Sequence, residues 1–222
     1  MKLLVFDVDG TLIDSQNLIV EAQAKAFASL GMTPPARDRA LSVVGLSIVE
    51  AFNALTEGRG PSDLLAEAYK DAWRQLRSSP AFHAPLYPGA HELLSDLAKR
   101  DDCLLGIATG KSREGVKRVL ERHGWSDYFD TIQTGDDAPS KPAPEMFLRA
   151  LAETGVAPRD ACMIGDTTFD MAMAHSVGAH AIGVGWGYHR HDKLTRWGAS
   201  QIVQDFPALR EALEDFMQCV TT

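Results

Sequence analysis

The chain has 222 residues, enough for one core of ~100 to 150 residues with a smaller second unit. Hydrophobic residues make up 45% and charged residues 23%, ordinary globular usage that excludes intrinsic disorder and a disulfide-stapled miniature fold. The formal charge of -8 leaves no basic excess to displace counterions from nucleic acid, so any phosphate-bearing ligand is expected to be small and held by a metal ion or a placed lysine.

The first apolar run, Leu3 to Phe6, has the length of a buried strand. It is too short for the apolar region of a signal peptide, and no stretch approaches the ~18 apolar residues of a membrane span; a cytoplasmic protein is the simplest expectation. From Ser15 to His83 the periodicity is helical, over Leu18 to Leu30, Leu41 to Leu55 and Leu64 to Leu76, with no convincing strand between. That segment reads as an all-helical insertion, leaving through a linker marked by Pro85, Pro88 and Gly89.

Beyond it, short apolar runs alternate with helical patterns: Leu104 to Ala108, Thr131 to Gln133, Cys162 to Ile164, Ala181 to Val184 and Gln201 to Val203. His123-Gly124 marks one helix end and Pro144 the start of another. Strand-helix alternation predicts an α/β fold with a parallel sheet covered on both faces. The expected domains are 1–14 with 84–222 as the core and 15–83 as the insertion.

Cys103, Cys162 and Cys219 give an odd count without paired spacing, so no disulfides are expected; Cys103 and Cys162 read as small buried residues. The seven histidines, His83, His91, His123, His175, His180, His189 and His191, lack metal-ligand spacing, and His189-Arg190-His191 reads as an exposed polar segment. Trp125, Trp186, Phe27, Phe52 and Trp73 read as core, and Lys111 as a solvated lysine.

In open parallel sheets, ligands bind beyond the carboxyl ends of the strands. The residues just after the runs should therefore meet in one crevice: Asp7, Asp9 and Thr11, then Thr109 and Gly110, then Lys141, then Asp166 and Asp170. A carboxylate at the Asp7 position can attack phosphorus, and Asp9 can protonate the leaving group and later deprotonate a water, with Gly10 giving the backbone the freedom to bend. Thr11 is placed to orient Asp9 or to cap the next segment of chain. Four acids in one crevice repel one another and phosphate, which calls for a hard cation. Mg²⁺ fits, with Asp7, Asp166 and the Asp9 carbonyl as ligands and Asp170 direct or one step removed. Lys141, the Thr109 hydroxyl and the Gly110 amide would meet the phosphoryl oxygens.

Two rivals fail on spacing. Gly10 stands fourth where a calcium loop has its glycine sixth, and Gly106 to Ser112 has three residues between its glycines where a P-loop has four. Gly183, Gly185 and Gly187 echo a dinucleotide motif but fit better a loop whose backbone passes near the site.

Together DVDGT (Asp7 to Thr11), IATGK with Thr109, SKPAPE with Lys141 and GDTTFD with Asp166 and Asp170 resemble, in order, the four motifs of the haloacid dehalogenase-like hydrolases. The resemblance implies a Rossmann-like core, Mg²⁺, an aspartyl-phosphate intermediate and a mobile cap. Because the insertion is helical and falls between the first and second motifs, the chain resembles the subgroup of phosphoglycolate phosphatases and β-phosphoglucomutases. The segment holding Gly45, Leu46 and Ser47 aligns with the one that selects substrate in such enzymes, or is an ordinary interhelical loop. The expected activity is hydrolysis of a small phosphorylated metabolite, phosphoglycolate or a similar ester, by a monomer or homodimer that needs neither nucleic acid nor membrane. A sugar-phosphate mutase and a non-catalytic phosphometabolite-binding protein are the alternatives; no arginine or lysine lies from Ala40 to Gly58 to hold the second phosphate that a mutase needs.

Overall fold

The computed structural model describes residues 1–76 and 84–219. The expected end of the insertion at His83, and that histidine itself, lie outside the described residues.

Six parallel strands form one sheet: β1 (Lys2–Phe6), β2 (Cys103–Thr109), β3 (Thr131–Thr134), β4 (Ala161–Gly165), β5 (His180–Val184) and β6 (Gln201–Val203), in the spatial order β3-β2-β1-β4-β5-β6. Every strand predicted from an apolar run is present. The central strands β1, β2 and β4 are buried on both sides, so their sequences read as continuous runs and do not alternate with polar residues, whereas the edge strand β6 keeps Gln201 exposed. Period-2 geometry still divides β1: Leu4 and Phe6 join one core with Leu93, Leu94, Val116, Leu209 and Leu213, while Leu3 and Val5 face Phe147, Ala150, Met171 and Met173 on the other side. The helices supplying these cores are α5 (Ala90–Leu97), α6 (Arg113–His123), α7 (Glu145–Thr154), α8 (Thr168–Ser176), α9 (His191–Arg196) and α10 (Phe206–Gln218). The predicted end at His123-Gly124 is realised: Gly124, at φ 70°, caps α6, and Pro144 directly precedes α7.

Among the described residues between β1 and α5 lie four helices: α1 (Gln16–Ser29), α2 (Arg37–Leu41), α3 (Ile48–Leu55) and α4 (Ser62–Leu76). They bury a small core of their own around Phe27, Phe52 and Leu65. The single helix expected over Leu41 to Leu55 is two helices. Gly45, at φ 99°, takes a left-handed conformation within the loop from Ser42 to Ser47 that separates α2 from α3 and is directed at the sheet.

Cys103 and Cys162 are buried as expected, and burial pushes their thiols up to about 11 and about 12, respectively, with Asp102 adding to the former. Trp125 is fully buried, and half-buried Trp186 stacks on Phe206 with ring centroids 4.8 Å apart.

Candidate active site

The strand order reverses between β1 and β4, and a doubly wound sheet opens its crevice at that point. Asp7 comes directly after β1 and Asp166 directly after β4, so the crevice is lined by carboxylates from both sides of the switch. Asp7, Asp166 and Asp170 each place an oxygen within 4.8 Å of the others, and all three are buried.

Lys141 enters this cluster from the loop before α7. Its Nζ lies 2.6 Å from Asp170 Oδ1 and 2.9 Å from Asp7 Oδ2, and it donates to the Ala108 carbonyl at 3.1 Å. Burial works against its charge, but Asp170 and Asp7 outweigh that and hold the ammonium above its ordinary range. Asp170 is also tied down on its other oxygen, which accepts from the Thr167 amide (3.0 Å) and hydroxyl (2.7 Å) in the capping box of α8. Asp166 accepts from the Thr11 hydroxyl at 3.0 Å and from the Tyr188 amide at 2.9 Å. Asp7 Oδ1 accepts from the Val8 amide at 2.7 Å, whereas Oδ2 has no donor but the Lys141 ammonium, ion-paired with it at 2.9 Å.

Burial pushes the Asp7 carboxyl up to about 6, Lys141 opposing the rise and Asp170 adding to it. Burial drives Asp166 well above the carboxylate range, with Asp7 and Asp170 contributing in the same sense. Three buried acids share one buried ammonium. That donor set, all oxygen and short of positive charge, fits a hard divalent cation held by Asp7 and Asp166, with Asp170 fixed by Lys141 and Thr167 just behind them. The Asp9 side chain turns away from the cluster, so its part in such a site would be through the main-chain carbonyl.

Gly10 makes the turn from Val8 to Ile13 possible. It sits at φ 85°, and a Cβ there would overlap the Asp166 carboxylate. Thr109 ends β2, fully buried, and Gly110 comes next against the Gly45 and Leu46 carbonyls, so closely that a side chain at position 110 would strike them. The predicted selection segment therefore touches the predicted phosphate-binding loop. Ser47 extends the contact, its amide donating to the Ser140 hydroxyl at 2.8 Å.

Four expectations are corrected. Thr11 touches Asp166, not Asp9. Asp9 is instead oriented by Ser15, whose hydroxyl donates to Oδ1 at 2.6 Å and whose amide donates to the Tyr188 hydroxyl at 3.1 Å. Lys111 is not solvated: its Nζ bridges both Asp9 oxygens at 2.9 and 2.7 Å and lies 4.8 Å from the centre of the Trp73 ring, its side chain only 9% exposed. Trp73 is accordingly half-buried and lines the crevice, as does Phe52. His189 is half-buried too. Its Nδ1 accepts from the Thr168 amide (3.1 Å) while Nε2 donates to the Ser42 carbonyl (3.2 Å), joining the sheet side to the insertion; burial lowers its pKa. Arg190 and His191 are exposed as expected. The glycine-rich segment after β5 does pass the site, delivering the Tyr188 amide to Asp166.

The chain matches the family model described as haloacid dehalogenase-like hydrolase over residues 4–184. It is 34% identical to the probable phosphatase IndB of Dickeya dadantii over 207 residues, covering 92% of this chain and 90% of that protein. It is 32% identical to the phosphoglycolate phosphatase of Chromobacterium violaceum over 195 residues, covering 85% and 86%. Among solved structures, a hydrolase from Pseudomonas syringae superimposes with a TM-score of 0.85 at 27% identity, covering 97% of this chain and 99% of the other.

Proposed function

The chain belongs to the haloacid dehalogenase-like hydrolases, and within that family we propose that it is a Mg²⁺-dependent phosphomonoester hydrolase working through an aspartyl phosphate on Asp7. The observation that carries the reading is the Asp7 carboxylate itself: buried directly after β1, ion-paired with Lys141 at 2.9 Å and gathered with Asp166 and Asp170 into one acidic cluster. The names of the relatives, a phosphatase and a phosphoglycolate phosphatase, support the same class of chemistry.

Asp7 attacks phosphorus and the bond to the leaving oxygen breaks, with Asp9 giving that oxygen a proton. Water then attacks phosphorus, Asp9 takes a proton from that water, and the bond between phosphorus and the Asp7 oxygen breaks to release inorganic phosphate and restore the carboxylate. Both Asp9 oxygens face the Lys111 ammonium in the arrangement seen here, which suits the proton-accepting half of the cycle. Lys141 keeps Asp7 in place and offsets charge on the phosphoryl oxygens, while the Thr109 hydroxyl and Gly110 amide stand ready as donors. Mg²⁺, when bound by Asp7 and Asp166, would neutralise the phosphoryl group as it transfers. Residues 15–83 would act as a cap that excludes bulk water, supported by the contacts of the 42–47 loop with Gly110, Ser140 and His189. Three unpaired cysteines suit a reducing, cytoplasmic setting. The mutase alternative gains no support from the 42–47 loop, which offers no cation for a second phosphate.

The test is release of inorganic phosphate from 4-nitrophenyl phosphate. Activity is expected with MgCl₂, lost in EDTA, and lost in Asp7→Asn with the fold retained by circular dichroism. Undiminished turnover in Asp7→Asn would remove the nucleophile from the scheme.

A further inference from the structure

Between the carboxylate cluster and the insertion lies a cavity of about 470 Å³. Its floor is Asp7, Asp9, Thr109 and Gly110; its far wall comes from α1, α3, α4 and the 42–47 loop. That wall is apolar and aromatic: Ile19, Val43, Ile48, Phe52, Tyr69 and Trp73. Phe52, Tyr69 and Trp73 form a continuous ring ladder with centroid spacings of 5.7 and 5.8 Å.

The charge around the cavity is balanced. Its described cations are Lys70, Arg74, Lys111 and Arg118, and its described acids are Asp7, Asp9, Glu114 and Asp136. Each cation already has a carboxylate companion: Lys70 with Glu67 (2.8 Å), Arg74 with Asp71, Lys111 with Asp9 (2.7 Å) and Arg118 with Glu114 (2.7 Å). Of these pairs Lys111 with Asp9 is the buried one, the other three being exposed to solvent; a second anionic group on the substrate lying over the floor would displace Asp9 from Lys111 or approach Asp9 unshielded, and either is unfavourable there. One wall residue has unmet polarity. Gln23, buried on α1, donates from Nε2 to the Ala40 carbonyl at 3.3 Å, which assigns its amide orientation, and its Oε1 accepts nothing.

We propose that the cavity selects a phosphomonoester whose alcohol is uncharged and carries an aromatic ring with an O–H or N–H donor, the ring lying against Trp73, Tyr69 and Phe52 and the donor meeting Gln23. The proposal deepens the hydrolase reading and rests on it for where the phosphoryl group sits. It separates this chain from an enzyme built for phosphoglycolate, whose leaving group is a small carboxylate. Rings stack on such walls because the apolar area they bury is large and little conformational freedom is lost.

The decisive measurement is calorimetric binding to the wild-type protein with Mg²⁺, using phosphonates in which CH₂ replaces the ester oxygen and turnover is impossible. 2-Phenylethylphosphonate is expected to bind about tenfold tighter than 3-phosphonopropionate, the phosphoglycolate analogue. Its 3-hydroxyphenyl derivative is expected to bind several-fold tighter again. In Trp73→Ala the tenfold ratio should shrink to about threefold or less. Equal or reversed affinities of the first two ligands would overturn the proposal whatever the enzyme turns over, and no gain from the ring hydroxyl would remove Gln23 from it. Separately, benzyl phosphate and phosphoglycolate are assayed for phosphate release. A retained binding preference without release of phosphate from either would refute the hydrolase reading and leave the pocket assignment standing.

Discussion

Replacing Lys141 with methionine removes one buried ammonium and keeps most of the side-chain volume. Both partners stay behind, Asp170 at 2.6 Å and Asp7 at 2.9 Å, each at most 1% exposed. At an effective dielectric constant of ~20, each contact near 3 Å is worth about 5 to 6 kcal/mol of Coulomb energy. Much of that offsets the desolvation of the lysine, and breaking a buried pair by deleting one partner costs a net of about 3 to 5 kcal/mol. For a chain of this size 1 kcal/mol moves Tm by about 2 to 4 °C, so Lys141→Met in EDTA near pH 7.5 should melt about 6 to 20 °C below wild type. The deficit should shrink near pH 5, because Asp7 and Asp166, with carboxyls already raised by burial, can take up the missing positive charge as protons. Scanning calorimetry of both proteins at both pH values is the assay. A melting point within about 3 °C of wild type near pH 7.5, or a deficit that grows on acidification, would refute the reasoning that Lys141 is the charge on which this cluster depends.

The same geometry sets two further outcomes. In the metal-free protein, Asp7 titrates near 6 against about 3.9 unfolded, and Asp166 is raised as well, so the folded state binds more protons and stability is lost as pH rises from about 4 through 6. A divalent ion removes that loss, so the Mg²⁺-induced gain in Tm should be larger near pH 7.5 than near pH 5, Asp7 alone supplying up to about 3 kcal/mol; a gain that is flat or falls with pH would contradict it. Gly10→Ala combines a left-handed residue, at a cost of about 1 to 2 kcal/mol, with a methyl group in the space of the Asp166 carboxylate. The variant should fold, melt lower by several degrees, and lose most of its Mg²⁺-induced stabilisation, read by the same calorimetry with and without the ion.

The core of the site was legible because it is local in the strand pattern. A buried parallel strand is an apolar run, its carboxyl end is where the run stops, and the next chemistry-bearing residue must face the crevice; Asp7, Thr109 and Asp166 are found by that rule alone. The positions that escaped are those whose partners are distant along the chain. Lys111 and Asp9 are separated by 102 residues, and nothing in the sequence around Lys111 signals a carboxylate or an indole above it. Ser15 looked like the mere entrance to the insertion, although a hydroxyl six residues after Asp9 with a single tight turn between them is a pairing that spacing could have suggested. His189 was illegible for a different reason: its two partners, Thr168 and Ser42, lie on separate units.

Two of the misread residues, Lys111 and His189, lie with the 42–47 loop along one boundary. Lys111 under Trp73, His189 under Ser42, Ser47 against Ser140, and the Gly45 and Leu46 carbonyls over Gly110 all lie on the seam between the helical insertion and the sheet. The carboxylate cluster belongs to the sheet and would persist with the insertion lifted away, because each of its hydrogen bonds is made within the sheet side. Asp9 is different. Its ion-pair partner Lys111 carries the Trp73 ring of α4, so displacement of the insertion exposes that pair to water and weakens it. The residue proposed for proton transfer is therefore the one whose surroundings depend on the position of the insertion, whereas Asp7 and Lys141 would keep their contact without it. Such a division would confine the proposed chemistry to the closed arrangement without requiring Asp7, Asp166 or Asp170 to move.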